Sequence, residues 1–142
     1  MKVSDVMTRE VQTVRPDQTA REAASFMLSA DAGAIPVLEG DRLIGIITDR
    51  DIAVRGVAEG RGPDTPVRDL MSNDIVAARI SDDVDDVAVR MSEAQVRRLP
   101  VVDEQEHLVG IVSLGDLSQK ADDNTAEQVL EGVTEPGGDH QQ

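Results

Sequence analysis

Apolar residues along the first half of the chain fall into short blocks whose spacing changes from block to block. From Ala20 to Leu28 they recur every three or four positions, which predicts an amphipathic helix. Ala34 to Leu38 and Leu43 to Thr48 are apolar runs of strand length, and the polar residues 39–42 between them predict a hairpin turn. The segment from Asp49 to Glu59 predicts a second helix.

Local signals mark the ends of these elements. Gln12 to Val14 predicts a short extended segment that ends before Pro16, because the residue preceding a proline avoids the helical region. Thr19 followed by Glu22 fits a capping box, so the first helix is expected to begin there. Gly33 is expected to end that helix, since glycine commonly follows a helix C-terminus. The order of elements is therefore β-α-β-β-α.

The second half of the chain repeats the first, with one residue inserted in the hairpin turn. The matching segments are Val3-Ser4-Asp5-Val6-Met7 with Val67-Arg68-Asp69-Leu70-Met71, Ile35-Pro36-Val37 with Leu99-Pro100-Val101, and Leu43 to Thr48 with Leu108 to Ser113. In the second copy, Ser81-Asp82-Asp83 is expected to cap a helix that runs to about Ala94. A hairpin over Leu99–Val102 and Leu108–Ser113 follows, and a last helix begins near Leu114.

The predicted fold class is α/β (α+β), with two β-α-β-β-α repeats packed as a pseudo-two-fold pair in one compact module. A unit of roughly 60 residues buries only about 60% of its unfolded surface and is marginal alone, so the two are expected to pack together. The predicted divisions are repeat 1 at 1–60, an inter-repeat loop at 61–66, repeat 2 at 67–120 and a C-terminal tail at 121–142. In the tail, Thr125 to Leu130 predicts a short helix, and the end from Glu135 is expected to be disordered.

Composition narrows the classes of partner. The formal net charge of −14 weighs against nucleic acid, which selects basic surfaces, and against anionic membranes. Phe26 is the one aromatic residue, so an aromatic platform for stacking bases is excluded. No apolar run is long enough to span a membrane. The chain has no cysteine, which makes a reducing cytoplasm the expected location.

No motif for catalysis or for metal binding stands out. The chain lacks a Walker A loop, a G-x-S-x-G elbow and a convincing triad, so no catalytic residue and no enzymatic activity are predicted. Two histidines and no cysteine make a structural zinc site implausible, and no metal is predicted. The acidic run Asp82 to Asp86 lacks the calcium-loop pattern and fits a first helical turn.

The repeated pattern resembles the cystathionine-β-synthase (CBS) domain family, in the tandem arrangement called a Bateman module. The resemblance covers roughly Val3 to Lys120 and depends on an Asp-hydrophobic-Met entry, a helix, an Ile/Leu-Pro-Val strand and a hairpin-to-helix segment. That segment reads Gly45-Ile46-Ile47-Thr48-Asp49-Arg50-Asp51 and then Gly110-Ile111-Val112-Ser113-Leu114-Gly115-Asp116. The chain looks like the short bacterial members without an enzyme domain.

The resemblance implies a regulatory role, in which clefts between paired repeats bind AMP, ADP, ATP or a related adenosine ligand. It also implies a homodimer and leaves an unidentified effector protein as a further partner. The alternative is a ligand-free module that serves dimerisation or docks a partner protein. The absence of a basic pair from the first repeat favours that alternative.

The resemblance assigns Asp51 and Asp116 to ribose, and Thr48 and Ser113 to ribose or phosphate. The chemistry is suitable, because a carboxylate accepts two hydrogen bonds from vicinal hydroxyls and a hydroxyl beside a helix N-terminus suits a phosphate oxygen. The same four residues also fit capping boxes that need no ligand.

Two further sets complete the candidate site. Arg97 and Arg98 are expected to contact phosphate, because guanidinium forks match phosphate oxygens, although they also fit a surface pair offsetting local acid. The aligned residues of the first repeat are Gly33 and Ala34, so phosphate binding is expected to be lopsided. The candidates to surround adenine, each of which also fits simple core packing, are Thr13, Val14, Ala34, Ile35, Ala77, Ala78 and Leu99.

Overall fold

The structure is a computed structural model that describes residues 1–120. Its helices are α1 (Ala20–Ala30), α2 (Asp49–Asp51), α3 (Val84–Ala94) and α4 (Leu114–Lys120). Its strands are β1 (Ala34–Glu39), β2 (Arg42–Thr48), β3 (Ala78–Arg79), β4 (Arg98–Val102) and β5 (Leu108–Ser113). The predicted mixed α/β class with a repeated helix, hairpin and helix is confirmed. The predicted tail helix and the expected disorder lie outside the described residues.

The chain divides into two compact units that do not follow the sequence repeats. Residues 12–75 form one unit, here called the first-hairpin unit, and residues 1–11 with residues 76–120 form the other, the second-hairpin unit. The entry segment Val3–Met7 of the first repeat therefore belongs to the second-hairpin unit. The entry segment Val67–Met71 of the second repeat belongs to the first-hairpin unit. The divisions at 1–60 and 67–120 therefore describe the sequence repeats. In the compact units, each repeat has exchanged its entry segment with the other repeat.

The first-hairpin unit is built on the antiparallel pair β1–β2, which has a bulge between Val37 and Leu38. Gly40 has a φ of +63° at the first central position of the turn, where a two-residue hairpin with a type II′ turn requires glycine. Val14 extends this small sheet, because its N–H donates to the carbonyl of Pro36 and its carbonyl accepts from Leu38. The buried core of this unit consists of Val14, Ala20, Ala23, Met27, Ile35, Val37, Ile47, Val67 and Leu70.

The second-hairpin unit repeats this plan with a three-stranded sheet in the order β3-β4-β5. The strand β3 runs parallel to β4, and β4 runs antiparallel to β5 with a bulge between Val101 and Val102. The apolar face of α3 packs here because Val87, Ala88 and Met91 are all buried. In both units the helix and the hairpin form one core, and the end of the hairpin continues directly into the next helix.

Each entry segment is held against the second hairpin strand by a methionine and a backbone pair. Ser72 and Ile46 exchange N–H···O bonds of 2.8 and 3.0 Å, and a Cβ added to Gly45 would lie 2.8 Å from the Met71 sulfur. Thr8 and Ile111 exchange two bonds of 2.8 Å in the second-hairpin unit. There, a Cβ on Gly110 would lie 2.7 Å from the Met7 sulfur. The glycine in each Gly-hydrophobic-hydrophobic-Thr/Ser segment thus admits the entry segment.

The prediction that Gly33 ends the first helix is wrong. The helix α1 ends at Ala30, and Asp31 takes the left-handed conformation at a φ of 51°. In the second repeat Gln95 does the same at a φ of 55°. Gly33 serves a different purpose, because a Cβ there would lie 3.0 Å from a carboxylate oxygen of Asp49. Its carbonyl accepts a hydrogen bond of 2.9 Å from the Asp49 N–H, which fixes the start of α2.

Two predicted helix starts and the predicted second helix can be compared with the structure. Thr19 and Glu22 form the predicted capping box. Asp83 occupies the N-cap of α3 without a side-chain capping bond, whereas Asp82 instead accepts the N–H of Arg79. The predicted helix Asp49–Glu59 is α-helical only over its first turn, then π-helical over Ile52–Gly56 and 3₁₀ over Val57–Glu59. Such π turns are rare and often mark functional sites.

Candidate ligand-binding site

The first candidate junction is where β2 passes into α2. The Thr48 hydroxyl oxygen accepts the Asp51 N–H at 3.0 Å, and Oδ2 of Asp51 accepts the Thr48 N–H at 2.9 Å. This is a reciprocal capping box, so the helix-capping alternative is observed. The side chain of Asp51 is 15% exposed. The capping box therefore holds the two side chains together, and only a small part of the Asp51 side chain is exposed to solvent.

The second candidate junction, where β5 passes into α4, has the same geometry. The Ser113 hydroxyl accepts the Asp116 N–H at 3.0 Å, and Oδ2 of Asp116 accepts the Ser113 N–H at 3.0 Å. Both side chains are half-buried. Two separate segments of the chain thus arrange a hydroxyl and a carboxylate alike.

Capping does not exhaust the hydrogen-bonding capacity of these groups. A hydroxyl that accepts one bond still has its own proton to donate, and a carboxylate has about four lone-pair positions. In each junction one carboxylate oxygen, Oδ1, makes no hydrogen bond to another described residue, although Arg55 lies 4.0 Å from that of Asp51. The capping box therefore orients these groups and leaves an acceptor and a donor for a ligand.

The strand that precedes each junction differs in charge between the two units. Ala34 is paired with Thr48 across β1 and β2, and Arg98 is paired with Ser113 across β4 and β5. Arg98 is exposed, so its guanidinium is accessible from solvent. Arg97 is half-buried, and its Nε is buried without a hydrogen-bond partner among residues 1–120. The lopsided basic charge therefore lies in the second-hairpin unit, beside Ser113.

Most side chains proposed to surround adenine are in the cores. Four of them are at most 1% exposed and pack in the two apolar clusters: Val14, Ile35, Ala78 and Leu99. For these four side chains, core packing is what the structure shows. Their side chains are unavailable, and the backbone groups of Val14 already bond to β1. The remaining candidates are more accessible, since Thr13 and Ala77 are half-buried and Ala34 is exposed.

Sequence reasoning missed Arg90, which holds the segment that contains Ala77. Its Nη1 donates to the Ala77 carbonyl at 2.8 Å and to Oδ2 of Asp82 at 3.1 Å. Burial of Asp82 raises its pKa, but the N–H of Arg79 and the Arg90 guanidinium together keep that pKa below its ordinary value. The aligned residues of the first repeat are Phe26 and Gln18, so no similar ion pair is formed there. Asp82 precedes α3 and lies eight residues before Arg90, so no helical pair spacing in the sequence signals this contact.

Sequence reasoning predicted a helix over Asp49 to Glu59 but missed the role of Arg55. Nε of Arg55 lies 4.0 Å from Oδ1 of Asp51. Its Nη1 donates to the carbonyls of Leu70 and Met71 at 3.3 and 3.0 Å. The spacing of four residues from Asp51 was visible in the sequence, but the contact with the entry segment was not.

Among residues 1–120, no group of three or more histidine, cysteine, aspartate or glutamate side chains is placed to hold a metal ion. That part of the chain also contains no helix with the length and apolar character needed to cross a bilayer.

Comparison with known proteins identifies the repeats. The family model described as "CBS domain" matches residues 3–56 and again residues 67–123. The CBS domain-containing protein YhcV of Bacillus subtilis (strain 168) is 50% identical over 116 residues, which cover 82% of each chain.

Solved structures share the fold. The crystal structure of Hypoxic Response Protein I with two coordinated zinc ions has a TM-score of 0.77 and 35% identity, and the match covers 86% of this chain and all of the other. The structure of CBSX2 in complex with AMP has a TM-score of 0.74 and 26% identity, covering 84% of this chain and 95% of the other.

The zinc-bound structure corrects one expectation. From the sequence, adenine nucleotides are the expected ligands and no metal is expected, but Hypoxic Response Protein I carries two coordinated zinc ions. Few histidines and no cysteines were therefore insufficient grounds for setting metals aside in a protein of this fold. The two family matches, together with the relative at 50% identity, show that the chain belongs to the CBS domain family and contains two consecutive CBS domains.

Proposed function

We propose that this CBS pair is a regulatory module that binds an adenosine ligand of the AMP, ADP or ATP type and catalyses no reaction. One observation carries the proposal: two hairpin-to-helix junctions present the same carboxylate and hydroxyl, each with hydrogen-bonding capacity left after capping. A vicinal diol has two O–H donors, and one carboxylate can accept both of them. Ribose is the part of an adenosine ligand that carries such a diol.

Each candidate residue has a distinct task in this proposal. Asp51 and Asp116 accept bonds from the ribose hydroxyls, and Thr48 and Ser113 donate to a ribose or phosphate oxygen. Arg98, exposed beside Ser113, meets phosphate, and a guanidinium suits that group because its N–H donors form a planar fork. The half-buried Arg97 assists it.

Adenine is held by accessible backbone and small side chains, since the chain has a single aromatic residue. Thr13 and Ala34 serve in the first-hairpin unit, and Ala77 serves in the second. The core residues Val14, Ile35, Ala78 and Leu99 support those segments from behind. The AMP complex of CBSX2, which has the same fold, supports this ligand class.

The net charge of −14 does not prevent an anionic ligand from binding. Charges at the surface are largely screened beyond about 8 Å at physiological salt. Arginines in direct contact with a phosphate form charge-assisted hydrogen bonds of about 1.5–3 kcal/mol each. Close cations therefore outweigh distant carboxylates.

Calorimetry with AMP, ADP and ATP tests the proposal on the wild-type chain, Asp51→Ala and Asp116→Ala. Each substitution is expected to weaken binding at its own unit by about 1–3 kcal/mol, because a charge-assisted bond is lost. Asp17→Ala is a matched control, since Asp17 is exposed and pairs with Arg15 rather than with a residue of either junction. Unchanged binding in both junction variants would reject the assignment, and absence of any binding would favour a ligand-free docking module.

We further propose that the module works in the cytoplasm as a homodimer, since two-fold dimers are the commonest closed assembly. Regulation requires that two states of the protein differ in their affinity for the ligand. Analytical ultracentrifugation with and without AMP measures whether the protein is a dimer and whether AMP changes the fraction of dimer. A monomer under all conditions would contradict the dimer.

A further inference from the structure

Arg55 joins the candidate ribose carboxylate to the entry segment of the first-hairpin unit. Its guanidinium is divided between two partners, with Nε toward Oδ1 of Asp51 at 4.0 Å and Nη1 toward the carbonyls of Leu70 and Met71. Oδ1 is also the oxygen that capping leaves free, because Oδ2 accepts the Thr48 N–H. A ligand hydroxyl at Asp51 would therefore act on the same oxygen that faces Arg55.

The carbonyls that Arg55 contacts lie where the entry segment leaves its short 3₁₀ turn, Val67–Asp69. Helix ends leave carbonyls without intrahelical donors, and a cation nearby satisfies them. No backbone N–H within residues 1–120 donates to the carbonyl of Leu70 or of Met71. Arg55 is therefore their donor within the described protein.

The same entry segment is seated on β2 immediately beyond these carbonyls. Ser72 exchanges two backbone bonds with Ile46, and the Met71 side chain lies against Gly45. Leu70 is fully buried in the core of the unit. Movement of the Arg55 guanidinium would therefore affect a segment that packs in the core at Leu70 and pairs with β2 at Ser72.

The wide π-helical turn Ile52–Gly56 contains Arg55. In the second repeat the aligned residues 117–120 belong to α4, and the residue aligned with Arg55 is Lys120. An ammonium is a point charge, whereas a guanidinium has donors on three nitrogens that can serve separate partners. The first-hairpin unit alone therefore has an arginine at this position.

We propose that Arg55 is a positioning residue that couples occupancy of the Asp51 half of the candidate site to the seating of residues 70–72 on β2. Ribose hydroxyls at Asp51 Oδ1 reduce the attraction of that oxygen for Nε and commit the guanidinium to the two carbonyls. Binding then tightens the entry segment, and by linkage a seated segment favours binding. The ligand part of this inference rests on the proposed function.

Residue-resolved amide hydrogen exchange of the full chain at Ser72 and Ile46 tests the coupling without a ligand. Arg55→Ala is expected to speed exchange at both amides about tenfold, because charge-assisted bonds to the segment are lost. Asp51→Asn keeps an oxygen to accept the Thr48 N–H but removes the charge. Its effect on exchange should be non-additive with that of Arg55→Ala.

Arg61→Ala is the matched control, since Arg61 pairs with Asp69 of the same entry segment at 3.7 Å but has no contact with Asp51. It is expected to leave exchange at Ser72 nearly unchanged. Arg55→Lys keeps the charge and should lie between wild type and Arg55→Ala, which distinguishes lost coupling from failed folding. Additive effects of Asp51→Asn and Arg55→Ala would overturn the proposal.

A second arm adds AMP. Slower exchange at Ser72 in the wild type, together with no such slowing in Arg55→Ala that still binds AMP, supports the coupling. Equal slowing in both proteins would overturn it. If calorimetry detects no AMP binding to the wild type, the proposed function fails, and the ligand-free mutant cycle still decides whether Asp51, Arg55 and the entry segment are linked.

Discussion

The first-hairpin and second-hairpin units share a backbone plan and differ in the charged side chains around it. Both close the hairpin-to-helix junction with a reciprocal hydroxyl and carboxylate pair, at Thr48–Asp51 and Ser113–Asp116. The second-hairpin unit places Arg98 at the strand entry where the first has Ala34. The first-hairpin unit instead has Arg55 beside its carboxylate.

This contrast separates what the fold requires from what distinguishes each half of the candidate site. The glycine that admits the entry segment, the capping box and the buried strand residues recur because each unit needs them to close its core. Arg55 and Arg98 each occur in one unit alone, so closing the core does not require them, and we expect them to distinguish the two halves of the candidate site. We expect equal consequences when shared features are altered and unequal ones when the arginines are.

The largest effect is expected at the shared glycines. Gly45→Ala and Gly110→Ala would each place a Cβ within 3 Å of a methionine sulfur and of a backbone oxygen. Relief requires the entry segment to move, so each substitution should destabilise the protein by about 1–3 kcal/mol, as overpacking does. Gly62→Ala is the control, because a Cβ there has open space. Urea unfolding measures all three, and a cost at only one of the two glycines would show that the entry segments are not equivalent.

The next effect concerns affinity and should be confined to one unit. Arg98→Ala is expected to weaken ATP binding about tenfold, because a charge-assisted contact to phosphate is lost. Adenosine, which has no phosphate, should be unaffected. Ala34→Arg is the reciprocal change, since Ala34 is exposed and paired with Thr48 as Arg98 is with Ser113. It should strengthen ATP binding at the first-hairpin unit, and calorimetry that finds equal losses for ATP and adenosine in Arg98→Ala would contradict the phosphate role.

A smaller effect is expected at the helix ends, where the units agree again. Asp31 and Gln95 adopt the left-handed conformation that glycine accepts without strain. Asp31→Gly and Gln95→Gly should therefore each stabilise the protein, by about 0.5–1 kcal/mol. Thermal unfolding checks this, with Ala30→Gly as a control inside the helix that should destabilise it. If Asp31→Gly and Gln95→Gly both destabilised the protein, the left-handed residues at the ends of α1 and α3 would not be strained.

The smallest effect concerns acid. The folded-state pKa of Asp82 lies below its ordinary value of 3.8, so its ionised form adds stability that is present at higher pH and lost as pH falls through the folded pKa. Asp82→Asn should therefore be less stable than wild type near pH 7, and the difference should shrink below about pH 4. Asn73→Ala, which replaces an exposed uncharged side chain, should show a difference from wild type that does not change with pH. Unfolding curves from pH 7 to pH 3 decide between these outcomes.

Sequence alone predicted the first helix, the hairpins and the capping pairs at the junctions, because these features are local. The capping pair at Thr48 and Asp51 spans three positions, and the alternating or helical spacing of core residues is set by the element itself. The internal repeat then extended these predictions to the second copy.

The exchange of entry segments was not predictable from the same signals. Val3 and Val67 are apolar in either arrangement, and nothing in a short apolar segment specifies which hairpin it packs against. The roles of Arg55 and Arg90 were not predicted for a similar reason, because both side chains donate to backbone carbonyls that are distant in sequence. The left-handed Asp31 and Gln95 were missed because glycine is the usual residue there, which drew attention to Gly33 instead.

The central claim is that Asp51 and Asp116 receive the diol of a ribose, and removing one hydroxyl from the ligand tests it most directly. Calorimetry would compare AMP with 2′-deoxy-AMP on the wild type, Asp51→Ala and Asp116→Ala. We predict about tenfold weaker binding of the deoxy ligand by the wild type, and no such penalty at the unit whose aspartate has been replaced. The same penalty in all three proteins would show that the lost hydroxyl never met these carboxylates.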